Sequence, residues 1–212
     1  MIIPRVNLKN ILPSILRGAF YHAGQVCVSI QKVIVHEDLV DEFLDLLKKS
    51  IKKLKVGNPS NIKTDVGPLI RPSEVKRIDS IVRKSIKEGA EIICGGFSNK
   101  ETTYECTVIK NPKDNSEISQ NEIFGPVLCV YDFRSIENAI KKANSEKYAF
   151  QSSVYTQNID TAMLCYEKLE AKSVFINEQT AFRVVWMPFG GIKSSGEGVG
   201  ATADVTLNNG NL

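Results

Sequence analysis

The sequence predicts an α/β fold, a mostly parallel sheet flanked by helices. Three observations carry that expectation. Short runs rich in Val and Ile, at 28–36, 91–94, 127–133, 151–155 and 173–176, are bounded by polar or turn-forming residues, as strands are. Between most of them lie stretches whose apolar residues recur at helical spacing. Strand and helix alternate in units of about thirty residues, the pattern of a parallel sheet with helical crossovers.

Each element follows from its residues. Leu12, Ile15, Leu16 and Phe20 share a helical face, which predicts a helix over 6–25 leading into the β-branched strand 28–36. From Asp38 a long amphipathic helix places Val40, Phe43, Leu44, Leu47, Ile51 and Leu54 on one stripe. Its other face carries Lys48, Lys49, Lys52, Lys53 and Lys55, which suit the negative end of the helix dipole. The cluster Gly57-Asn58-Pro59-Ser60-Asn61 ends it. Pro72 fits a first helical position, opening a helix over 72–88 with Val75, Ile78, Ile81, Val82 and Ile86 as its core face. Gly89 closes that helix; a strand at 91–94, an extended piece at 102–109 and a polar turn at 112–116 follow. Residues 127–133 read as a buried strand, and Ser135 caps a helix over 136–144 with Glu137 in its first turn. A strand at 151–155, a helix at 159–169 and a strand at 173–176 complete the alternation. With no repeat or linker in between, one domain is expected over 1–200, followed by a polar, Gly/Asn-rich tail at 201–212 that should be poorly ordered.

Composition narrows the function classes. The chain has 212 residues, 42% of them hydrophobic, enough for one well-packed domain. A net charge of +3, with the lysines on solvated helix faces, argues against a nucleic-acid partner. No apolar run reaches the ~20 residues that span a membrane, and Met1-Ile2-Ile3 meets Pro4 and Arg5 at once, unlike a signal peptide. Cys27, Cys94, Cys106, Cys129 and Cys165 are an odd number without paired ligand spacing, which fits a reducing cytoplasm. Cys94, Cys129 and Cys165 sit in apolar runs and read as small core residues. His22 and His36 are too isolated to suggest a metal site.

The chemistry-bearing residue that stands apart is Cys27, in Gly24-Gln25-Val26-Cys27, where a helix gives way to a strand. A cysteine at such a junction is either a nucleophile presented to a cleft or a buried packing residue. Glu122, taken alone, is an exposed loop acid or a carboxylate acceptor. Arg183, taken alone, is a surface cation.

Three runs weigh between these alternatives: Phe20-Tyr21-His22-Ala23-Gly24-Gln25-Val26-Cys27, Asn121-Glu122-Ile123-Phe124-Gly125-Pro126-Val127 and Pro188-Phe189-Gly190-Gly191-Ile192-Lys193-Ser194-Ser195-Gly196. Gly57-Asn58-Pro59, Asp65-Val66-Gly67-Pro68-Leu69-Ile70, Leu169-Glu170-Ala171 and Val174-Phe175-Ile176-Asn177 add smaller matches. In residues, order and spacing these resemble the signature segments of the aldehyde dehydrogenase superfamily, over about residues 6–200. The resemblance implies the catalytic-domain fold of that family and NAD(P)-dependent oxidation of a small aldehyde to a carboxylic acid through a thioester. It implies Cys27 as nucleophile, Glu122 and Phe124 as nicotinamide-side contacts for NAD or NADP, and Phe189 as a pocket aromatic. Asn177 matches a loop position with a structural role. Thr180-Ala181-Phe182-Arg183 is similar to members acting on lactaldehyde or glyceraldehyde 3-phosphate, which makes Arg183 a substrate contact. The family's upstream cofactor-binding half, its general base and one oxyanion donor have no match here, and Ala149 stands where a glycine is commoner. A homo-oligomer or a complementing upstream domain is therefore the expected partner, to cover apolar surface. The alternatives are a non-catalytic remnant acting as an interaction domain and, below both, weak thioester or ester hydrolysis by Cys27 alone.

Overall fold

The computed structural model describes residues 1–184 and 187–196, and the proposed tail at 201–212 lies outside the described residues. The chain opens at the centre of its own sheet. Ile2, wholly buried, bridges in parallel to Val35 on one side and Tyr155 on the other. Around it run α1 (Leu8–Phe20), β1 (Lys32–His36), α2 (Glu37–Ile51), α3 (Pro72–Lys87), β2 (Glu91–Cys94), β3 (Thr107–Lys110), α4 (Glu117–Gln120), β4 (Val127–Phe133), α5 (Ile136–Asn144), β5 (Tyr148–Ala149), β6 (Gln151–Val154), α6 (Ile159–Lys168), β7 (Ser173–Ile176) and β8 (Ile192–Lys193).

The main sheet has the order β1-β4-β3-β2, parallel except for β2, which pairs antiparallel with β3. β6 and β7 form a separate parallel pair, and β5 pairs antiparallel with β8. The arrangement is thus α/β with a mixed sheet. β2 is antiparallel because residues 95–106, which join it to β3, hold no crossover helix and simply turn the chain back; Gly89, at a left-handed φ of 103°, leads from α3 into β2. β4 is the spine: five consecutive residues, Val127 to Tyr131, are buried, as a strand covered on both faces requires.

Helix boundaries obey local chemistry. The Asn7 side chain accepts from the N–H groups of Lys9 and Asn10 and caps α1. Pro72 starts α3, and Ser135 Oγ accepts from Asn138 N at 3.3 Å to cap α5. Phe43, Leu44 and Leu47 of α2 and Ile78, Ile81 and Val82 of α3 fill the core beside β3 and β4.

The expected helix over 6–25 ends early, at Phe20. His22, Ala23 and Gly24 all take left-handed φ values, 50°, 55° and 69°, and reverse the chain. The expected strand over 28–36 begins only at Lys32, because Ser29 N bonds back to Val26 O at 2.9 Å and closes a β-turn instead. The extended piece at 102–109 shrinks to Thr107–Lys110, and α4 was not foreseen. In α3 the buried position is Ser85 rather than Ile86, which is 37% exposed. Cys94 is only half-buried, at the sheet edge, whereas Cys106, Cys129 and Cys165 are buried. Among the described residues no helix is long and apolar enough to cross a membrane.

The two helical surfaces differ sharply in what a truncation should do. Phe43→Ala, at a fully buried site, should lower unfolding free energy by about 3–5 kcal/mol. Ile86→Ala should change it by less than about 1 kcal/mol, both read by urea titration.

Candidate functional site

The left-handed turn at His22 to Gly24 precedes Cys27 and places it on the wall of a cleft. Three consecutive residues in that region are costly, and for His22 and Ala23 the strain is offset only by fixed contacts. The Gln25 side chain supplies several. Its Nε2 donates to His22 O at 3.0 Å and to Pro68 O at 3.3 Å, and its Oε1 accepts from Ile70 N at 3.0 Å. Gly24 fixes the turn on its other side: a Cβ there would overlap the Gly125 carbonyl, well inside van der Waals contact. Downstream, Thr180 Oγ1 donates to Val28 O at 2.7 Å, and Ile30 N donates to Gly18 O at 3.0 Å. Cys27 sits at the second position of the resulting Val26–Ser29 turn, exposed, at the wall of a cleft of about 490 Å³.

Glu122 lines the same cleft from the opposite loop. That loop is anchored by Gln31 Nε2 donating to Asn121 O at 2.7 Å and by Arg77 Nη2 donating to Ile123 O at 2.5 Å. Ile123 is fully buried, so its neighbours Glu122 and Phe124 project outward as a pair. Phe124 takes a left-handed φ of 52° and is 44% exposed; with Gly24, Val26 and Glu122 it borders a second, small hollow on the far side of the turn. The Glu122 side chain is exposed by area, yet partial desolvation at the cleft raises its carboxyl above the ordinary range. Its carboxylate makes no hydrogen bond to a described side chain or backbone group. A carboxylate acceptor and an aromatic face, both unengaged, suit a ligand that offers hydroxyl donors and a flat ring.

Phe189 and Arg183 meet behind the cleft wall formed by Phe150. The Arg183 guanidinium lies 4.3 Å over the Phe189 ring, and Phe189 packs edge-on against Phe150 with centroids 4.9 Å apart. Phe150, not Phe189, is the ring that lines the cleft. The β5–β8 pair holds this loop down, helped by Ala149 N donating to Ser195 Oγ at 3.0 Å; Gly191 is needed because a Cβ would press on Phe150 and Ser195. Asn177, at φ 59°, accepts from Thr156 N and donates to Thr156 O, both at 2.9 Å, and so closes the end of the β6–β7 pair. Lys32 and Glu146 form a part-buried ion pair in the cleft, with Lys32 also donating to Ser119 O.

The structure therefore brings Cys27 and Glu122 to one cleft, sets Phe124 beside them around the turn, and stacks Arg183 on Phe189 behind Phe150. Sequence reasoning missed Gln25, Thr180 and Phe150. Gln25 and Thr180 stood inside the quoted runs, but their partners are 43 and 152 residues away, beyond any local pattern.

Known proteins resemble this chain throughout. The model of the family described as "Aldehyde dehydrogenase family" matches residues 1–208. The lactaldehyde dehydrogenase of Methanococcus maripaludis (strain C5) is 38% identical over 192 residues, 91% of this chain and 41% of that protein. The 3-sulfolactaldehyde dehydrogenase of Priestia aryabhattai is 34% identical over 192 residues, covering 91% of this chain and 40% of that protein. Among solved structures, the glyceraldehyde-3-phosphate dehydrogenase of Methanocaldococcus jannaschii complexed with NADP has a TM-score of 0.89 at 34% identity, over 93% of this chain and 43% of that one. The betaine aldehyde dehydrogenase of Staphylococcus aureus in complex with NAD+ has a TM-score of 0.92 at 30% identity, over 98% and 42%. The chain thus spans about two fifths of the length of these relatives.

Two outcomes follow from the geometry. Gln25→Ala removes both side-chain bonds to the segment at Pro68 and Ile70 and should destabilise the fold by about 1–3 kcal/mol in urea titration. Glu122 is disfavoured when charged, so its contribution is fully present below the unfolded carboxyl pKa of about 4.3 and is lost as pH rises through its raised folded value. Glu122→Gln should accordingly show a higher urea midpoint than the wild type at neutral pH, and the gap should close on acidification.

Proposed function

The chain belongs to the aldehyde dehydrogenase family, and from that premise we propose that it carries the nucleophile-bearing part of an NAD(P)-dependent oxidation of a small aldehyde to a carboxylic acid. One observation carries the reading: an exposed cysteine, held on a strained and multiply anchored turn, shares a cleft with an unpaired carboxylate. Residues 1–200 would act as the catalytic unit of the reaction.

Cys27 would add as thiolate to the aldehyde carbon, forming a tetrahedral adduct. The oxygen of that adduct would become negative, and the Cys27 backbone N–H would be one donor to it. When bound, the nicotinamide supplies the hydride acceptor, and Glu122 and Phe124 are the residues of this chain that fit it. The Glu122 carboxylate would accept from ribose hydroxyls and Phe124 would offer a ring face. Water would then release the acid from the Cys27 thioester. Arg183, stacked on Phe189, would present its N–H fork to a hydroxylated or anionic aldehyde such as lactaldehyde or one of its charged analogues. The general base and most of the cofactor's cradle would come from polypeptide beyond these residues.

A second reading is favoured by the coverage of about two fifths of each relative: a non-catalytic interaction domain that keeps the family's cleft. Joining the upstream portion of the Methanococcus maripaludis lactaldehyde dehydrogenase ahead of Met1 separates the two. Lactaldehyde-dependent NAD(P)+ reduction is expected, with loss of at least about a thousandfold in Cys27→Ala. A folded chimera that binds NAD(P)+ yet reduces none would establish the second reading.

A further inference from the structure

The turn that carries Cys27 is built from residues that resist turning. β-Turns favour Gly, Pro, Asn, Asp and Ser, whereas the central pair here is Cys27 and Val28. Val28 and Ile30 are β-branched and suit an extended strand. Ser29 N donates to Val26 O at 2.9 Å and closes the turn. One such bond contributes only about 0.5–1.5 kcal/mol net, so contacts from elsewhere must hold the turn against its own propensity.

Those contacts come from residues 177–183, the loop that follows β7. The loop is itself firmly tied. Asn177 bonds twice to Thr156, the Glu178 carboxylate accepts from Ser14 Oγ at 3.2 Å and from Gln179 N at 2.8 Å, and Ser153 Oγ donates to Glu178 O. Phe182 N donates to Gln179 O at 3.1 Å, and the Phe182 ring meets Phe175 edge-on. From this base two side chains reach toward the Cys27 turn. Gln179 lies against Gly18, where Ile30 also packs, yet its buried Oε1 has no hydrogen-bond partner. Thr180, 8% exposed, donates from Oγ1 to Val28 O at 2.7 Å. Among the described residues this is the one hydrogen bond between the loop and residues 26–29.

We infer that Thr180 is a positioning residue: by holding the Val28 carbonyl, its hydroxyl keeps the turn closed and Cys27 at the cleft wall. Val28 C=O and Ser29 N–H belong to one planar peptide, so Thr180 on its oxygen and Val26 on its hydrogen grip the same unit from opposite sides. Packing by the Thr180 methyl cannot fix that plane, because a hydrogen bond is directional and apolar contact is not. The role rests on Cys27 being the nucleophile proposed above. It joins that nucleophile to the loop that carries Arg183, three residues after Thr180.

The test compares Thr180→Val, which keeps the shape and deletes the hydroxyl, with Thr180→Ser, which keeps the hydroxyl. Two quantities are followed in each folded protein: hydrogen exchange of the Ser29 amide, and the rate of Cys27 alkylation by iodoacetamide, read at that residue by mass spectrometry. Neither needs an aldehyde or a nicotinamide, so a chain without dehydrogenase activity would give the same answer. Thr180→Val should speed Ser29 exchange by at least about tenfold and shift the Cys27 rate by at least about threefold, with both near wild type in Thr180→Ser. Thr107→Val makes the same change at a wholly buried threonine bonded to Gly96 N and Glu105 O, and should leave the Cys27 rate as it is. Should Thr180→Val not fold, Thr180→Ala carries the same comparison. A wild-type Cys27 rate in the folded protein without the hydroxyl would overturn the proposal and leave Thr180 as packing alone. Thr180→Ser behaving like Thr180→Val would overturn it by making the methyl the hold. An equal shift in Thr107→Val would trace the effect to lost stability and overturn it too.

Discussion

The contact on which the site depends is between two glycine backbones. Gly24 lies against the Gly125 carbonyl so closely that no side chain can stand between them. It joins the loop that presents Cys27 to the loop that presents Glu122 and Phe124. The first loop is bonded internally only by short turns, as Gln25 N to His22 O and Ser29 N to Val26 O, so it takes its position from the second loop and from a few side-chain anchors. Gln25 ties the first to the segment at Pro68 and Ile70, and Arg77 ties the second to α3. The left-handed run from His22 to Gly24 brings Gly24 to this contact.

Beneath the loops, the sheet acts as a rigid base. β4 is buried along most of its length and carries the second loop at its start, while β1 follows the first loop after a single turn. Cleft geometry is therefore set by strand register, with Lys32 opposite Cys129 and Thr107 opposite Val127. Cys27 itself stands on the Val26–Ser29 turn ahead of β1, so its placement comes from that turn and its anchors rather than from a strand end.

Much of this was legible from the residues. The strands at 127–133 and 173–176 and the helix at 136–144 match expectation to the residue, because each pairs a clear apolar pattern with a local stop or cap such as Ser135. Failures occurred where distant contacts overrode propensity. Val28, Ser29 and Ile30 read as strand, yet Thr180 and Gly18 hold them in a turn and its exit. Ile86 read as core because the stripe was extrapolated one position too far along α3, where Ser85 faces inward instead. Of the candidate site, the runs around Cys27, Glu122 and Phe124 pointed to these residues through their resemblance to the family's segments, and the fold brings Cys27 and Glu122 to one cleft. The anchoring by Gln25 and the placing of Phe150 in front of Phe189 had no such pointer, since both are properties of the folded chain only.

The most direct test of the Gly24–Gly125 contact is the alkylation rate of Cys27 by iodoacetamide in folded Gly24→Ala protein. The wild type and Gly67→Ala, where an added methyl meets nothing, serve as references. A Cβ at residue 24 must push the two loops apart, so the expected result is a Cys27 rate displaced by roughly tenfold in Gly24→Ala alone. Equal rates in all three folded proteins would contradict the account, because Cys27 would then be held by something other than the closeness of the two glycines.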